Sequence, residues 1–155
     1  MRAVCLLLLF AFTLLNPASA KDLQSMIETH GQVLDRLEKA FLDREEHFLE
    51  DTSESGNRAY GLLIDVHNQI SSIDRELIFL YTLMNMQFLV QGEPRMKHAR
   101  RIVDSQKEYI VKRAASVSRY IETIMLNSRV RDAETNRLLL EARDAIKAIP
   151  ALIRQ

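Results

Sequence analysis

The side chains able to do chemistry in this chain are few. Histidine, the commonest metal ligand and the acid–base group tuned to neutral pH, occurs at His30, His47, His67 and His98. Di-iron helical bundles set a glutamate three residues before a ligating histidine, because that spacing puts both on one helix face. None of the four histidines has that glutamate. Acids do crowd His47 (Glu46, Glu50 and Asp51), and Asp65 lies close to His67. Solvated charge beside a connection accounts for both groupings, so no metal and no cofactor is expected. A phosphate-cradling glycine loop, a nucleophile elbow and a zinc-protease pattern are all missing, and the scattered serines have no oriented base beside them. The expectation is a protein that is not an enzyme.

The single cysteine, Cys5, lies in an unbroken apolar stretch from Ala3 to Leu15 that follows Arg2 and precedes Asn16-Pro17-Ala18-Ser19-Ala20. One positive charge, a short apolar run and small residues at the end are the parts of a secretory signal peptide. The run is shorter than the ~20 apolar residues a spanning helix needs. Residues 1–20 are therefore expected to be a signal peptide, cleaved so that the mature chain begins at Lys21. Cys5 leaves with it, and the mature protein then has neither a disulfide nor a thiolate metal site. With no Asn-x-Ser/Thr site either, a periplasmic or secreted location is expected.

Loss of Arg2 leaves 20 basic residues against 21 acidic ones, so nothing in the bulk charge attracts nucleic acid. The charge is unevenly spread. Residues 21–76 hold 6 basic and 13 acidic side chains, and residues 77–155 hold 14 and 8. Mutual attraction between helices of one fold is the first use for such a split. Lys97, Arg100, Arg101, Lys107, Lys112 and Arg119 suit an anion or lipid-headgroup surface, but Asp104, Glu108 and Glu122 interleave with them as on a mixed solvated face.

The elements that must position these groups are helices, because glycine and proline are scarce and apolar residues recur at steps of three and four. The first seam is Leu23, Ile27, His30, Leu34, Leu37, Phe41, Arg44 and Phe48, with Asp35, Glu38, Glu45 and Glu46 among its polar coat. Turn formers fill 51–57, and a second seam follows at Leu63, Val66, Ile70, Ile73, Leu77, Leu80 and Met84. Gly92-Glu93-Pro94 marks the next stop and start. A third seam runs Met96, Ala99, Val103, Gln106, Ile110, Arg113, Val117, Tyr120 and Ile124, widened by Ile102, Tyr109 and Ile121. After a break near Asn127-Ser128, Leu139, Ala142, Ile146 and Ile149 continue until Pro150. This predicts an all-α fold, one domain over residues 21–155: an antiparallel up-down-up-down bundle of three long helices and a shorter fourth, with coiled-coil-like seams.

An exported bundle with Met26 early in its first helix resembles the periplasmic four-helix b-type cytochromes, which take a haem methionine from the first helix and a histidine from the last. The last helix here has no histidine, and the Cys-x-x-Cys-His attachment motif is missing.

Two places invite function. Helix rise from the two turns puts His30 and Gln106 at similar heights, with Tyr81 close to them, so a buried hydrogen-bonded layer of His30, Tyr81 and Gln106 is one candidate binding site. The other is the stretch from Leu77 to Val90, apolar all round, where Ile78, Phe79, Tyr81 and Leu89 exceed what one core face needs. That surplus predicts an interaction surface for a protein partner or for self-association. A small-ligand, metal or cofactor-binding bundle is the alternative.

Overall fold

The computed structural model describes residues 18–87, 89–127 and 132–154. Four helices account for nearly all of them: α1 Ala18–Leu49, α2 Glu54–Gln87, α3 Glu93–Asn127 and α4 Ala133–Arg154. The fold is all-α, and no strand occurs among the described residues. Most of the expected leader, residues 1–17, lies outside them, while residues 18–20 are continuous with α1.

The α2 seam is buried as expected at every position from Leu63 to Met84. Leu23, Ile27, Leu34, Leu37 and Phe41 of α1 meet it, along with Leu139, Ala142, Ile146 and Ile149 of α4. Removing each of these larger side chains from water contributes about 1.5–3 kcal/mol, which is why these stripes decide how the helices roll. On α3 the buried line is Val103, Ile110, Ala114, Val117, Ile121 and Ile124. Arg113 and Tyr120, taken as seam members, are only half-buried, and small Ala114 and Ser118 hold the inner positions.

Each helix packs on its chain neighbours, and α1 also packs on α4, closing a ring. The cross-links fall in opposite order along each of three pairs. Glu38 and Glu45 of α1 meet His67 of α2, while Gly31 faces Asp74. Tyr120, Arg113 and Gln106 of α3 meet Asp65, Gln69 and Glu76 of α2. His30 and Arg44 of α1 meet Ala145 and Asp132 of α4.

Connections are tighter than the composition predicts. Ser53 is the N-cap of α2: its Oγ accepts from the Gly56 amide at 3.0 Å, and its carbonyl accepts the first helical bond from Asn57. Gly56 and Asn57 are therefore helical, and the reversal is confined to residues 50–53. A Cβ on Gly56 would lie 2.5 Å from the Asp51 carbonyl oxygen, so only glycine lets the turn fold back onto the helix. Gly92 has φ +90°, a left-handed conformation that glycine adopts without cost, and starts α3. Asp132 caps α4, its Oδ2 accepting from the Thr135 amide at 2.7 Å and from the Thr135 hydroxyl at 2.5 Å.

Pro150 does not end α4, as the sequence leads one to expect; it sits inside the helix, which continues to Arg154. A proline removes one amide and crowds one carbonyl, a local loss that burial of Leu152 and Ile153 beyond it offsets. Even so, α4 is short. Lys147 pairs with Glu122, placing the second half of α4 beside the last turns of α3. The first turns of α3, from Glu93 to Ile102, contain no buried residue. Together with the end of α2 they form the tip of a hairpin whose α3 side is open to solvent.

Candidate interaction surface

Most of the exposed large hydrophobic side chains among the described residues lie on the α2–α3 hairpin. Ile78 is 56% exposed, Phe79 51%, Met86 56% and Leu89 79%, and on α3 Met96, Ile102 and Tyr109 are also exposed. Helical spacing puts Phe79 and Met86 on one line of α2, and Ile102 and Tyr109 on one line of α3. The two lines meet in an open groove of about 570 Å³ bounded by Arg75, Glu76, Phe79, Gln106 and Tyr109. Single exposed hydrophobic residues are ordinary, but a group gathered on one hairpin is a feature that needs a reason. Of the four residues predicted from the surplus, Ile78, Phe79 and Leu89 lie open; Tyr81 is half-buried against the core.

Tyr81 instead lines a second groove, of about 310 Å³, between α1 and α2 with Ile27, Glu28, Gly31, Gln32, Asp35, Asp74, Leu77 and Ile78. Its polar side is acidic. Burial, and then the nearby charges of Glu38 and Asp35, push the Asp74 carboxyl above its ordinary range, against the smaller opposing pull of Arg75.

The three-residue polar layer resolves differently. His30 Nε2 donates to the Ala145 carbonyl at 2.7 Å, which fixes that nitrogen as the protonated one. Burial pulls the imidazole below its usual range, partly offset by this bond. Gln106 Nε2 donates to Glu76. His30, Tyr81 and Gln106 thus have no hydrogen bond to one another among the described residues. Heights from helix rise place His30 and Gln106 well, since Gly31 faces Asp74 and Gln106 meets Glu76, but α1 turns its histidine toward α4 rather than toward α3.

A constellation outside the expected sites joins α1 to α2. His67 Nδ1 lies 3.0 Å from Glu45 Oε1 and its Nε2 lies 3.4 Å from Glu38 Oε1. Glu45, read as polar coat, is buried at 7%. A neutral imidazole can donate to only one of these carboxylates. Asp65 is not part of the cluster; it accepts from the Tyr120 hydroxyl. The spacing of Glu38 and Glu45, seven apart on one face and opposite a histidine across the first turn, was the available signal. Among the described residues no group of three or more such side chains is arranged to hold a metal ion.

The fourth polar cluster ties α4 to α1. The Arg44 guanidinium reaches Asp132 at 2.6 Å and Glu134 at 3.5 Å and lies over the Phe48 ring. Burial works against the Asp132 charge, but the two bonds from Thr135 and the Arg44 contact outweigh it and hold the carboxyl at about 2.

No protein-family model, curated protein or solved structure matches this chain. Among the described residues no helix is long and apolar enough to cross a membrane.

Proposed function

We propose that this is an exported, non-enzymatic bundle, in up-down-up-down arrangement, that works by protein–protein association through the outer face of the α2–α3 hairpin. The observation that carries the reading is the group of open apolar side chains, Ile78, Phe79, Met86, Leu89, Ile102 and Tyr109, gathered on the α2–α3 hairpin. Aromatic and methionine side chains are what buried interface centres are enriched in. The polar side chains of three clusters find their partners between helices: His30 in Ala145, Gln106 in Glu76, Arg44 in Asp132. The acidic α1–α2 groove supports a second reading, a site for a small cationic ligand, since Asp74 sits among like charges beside an apolar wall.

A photo-crosslinking residue placed at position 79 in the producing cell tests the main reading, with position 42 on the exposed face of α1 as control. Protein adducts should form from 79 and not from 42. Equal yields from both positions, or none from 79, would defeat it.

A further inference from the structure

Resting on the reading that the hairpin face is an interface, we propose that its partner is a second copy of this chain. The two copies pair antiparallel, so that the basic hairpin tip of each covers the acidic α1–α2 groove of the other, with Phe79 near the two-fold axis.

Charge carries the choice. Arg95, Lys97, Arg100 and Arg101 are all exposed on the first turns of α3. None of them enters an ion pair among the described residues, unlike Arg44, Arg58, Lys112, Arg137, Arg143 and Lys147; Arg36, Arg75, Lys107, Arg113, Arg119 and Arg154 have none either, but these four crowd into seven residues. The acidic counterpart is the groove bearing Glu28, Asp35 and Asp74. Its charge is only partly answered, by Lys39 on exposed Asp35, and Asp74 is held above its ordinary range by burial and by its acidic neighbours. A cation brought from outside would relieve that repulsion.

Position makes the two clusters self-complementary. Gly31 faces Asp74, so Glu28 and Asp35 lie beside the stretch of α2 around Asp74. Gln106 meets Glu76, so the turn from Arg95 to Arg101 lies beside the last two turns of α2. On the α2 axis the acidic and basic centres are then ~15 Å apart at 1.5 Å per residue, and Phe79 falls near their midpoint. A two-fold axis there exchanges the clusters and stacks the apolar residues of one hairpin on those of the other. An isologous contact requires this exchange, in which one patch carries both halves of its own complement. An anionic membrane would answer the basic tip but would leave the acidic groove facing like charge.

The test is a charge swap followed by sedimentation equilibrium of the chain from Lys21. Wild type should self-associate to a dimer, more weakly at high salt. Arg100→Glu with Arg101→Glu, and separately Glu28→Lys with Asp35→Lys, change only exposed side chains and should each raise the dissociation constant roughly tenfold or more. An equimolar mixture of the two variants should restore dimerisation as a heterodimer. If both variants dimerise like wild type while Phe79→Ser with Tyr109→Ser does not, the face is an interface but the antiparallel charge pairing is wrong. A chain that stays monomeric at all concentrations overturns the pairing outright. So does a monomer that sediments with phosphatidylglycerol vesicles, which would assign the tip to a lipid surface. Capture of a different protein by position 79 alongside a monomeric chain would leave the interface standing without this partner.

Discussion

Replacing Asp132 with asparagine separates what its shape does from what its charge does. Asparagine caps a helix about as well as aspartate, so the bond from the Thr135 amide survives, while the charge that meets Arg44 at 2.6 Å is lost. A carboxyl held at about 2 against an ordinary 3.8 would correspond to about 2.5 kcal/mol if fully shielded from water. With 30% of its side chain exposed, screening leaves about 1 kcal/mol. Because the folded-state value is depressed, this stability is fully present above pH 3.8 and is lost as pH falls toward 2. Urea unfolding of both proteins at pH 7 and at steps down to pH 2.5 measures it. The Asp132→Asn cost should be about 1 kcal/mol at pH 7 and should shrink as pH falls through that window. A cost of the same size at both ends of the range would refute the electrostatic account, and no cost at pH 7 would mean that the Arg44 contact contributes nothing.

His30→Gln should flatten the fall in stability on acidification below pH 6.5. The native imidazole is favoured neutral by burial, so the unfolded state takes up protons first and stability is fully present only above the unfolded value; parallel urea titrations of variant and wild type check the slope. Gly56→Ala should cost more than 1 kcal/mol, although alanine is the better helix former by about that amount, because its Cβ would sit 2.5 Å from the Asp51 carbonyl oxygen; a raised melting temperature would contradict the close approach.

Where apolar residues of ordinary size repeat at helical steps, the fold could be read directly. The α2 seam from Leu63 to Met84 is the clearest case, since its stripe is continuous and central. On α3 the pattern is poorer because Ala114 and Ser118 pack inward through small size, which periodicity of large hydrophobic residues does not register. Met96 and Tyr109 carry the right residue types but stay exposed, because residue type does not say which face of a helix meets a neighbour. Glu45 was hidden for the opposite reason: a carboxylate reads as surface until its partner, His67 on the next helix, is known. His30 bonds Ala145 and Gln106 bonds Glu76 rather than each other, because helix rise fixes level while only packing fixes which neighbour a side chain meets. The surplus of α2 was legible as surplus, and the open positions of Ile78, Phe79 and Leu89 follow from it.

Hydroxyl-radical footprinting of the folded chain across a concentration series reads the proposed interface residue by residue. Met86, Phe79 and Tyr109 are exposed on the hairpin, whereas Leu126 and Leu140, also exposed, lie away from it on α3 and α4. The account predicts that oxidation of Met86, Phe79 and Tyr109 falls as concentration rises while Leu126 and Leu140 label unchanged. Labelling of the hairpin that stays constant, with protection gained at Leu126 and Leu140 instead, would contradict it.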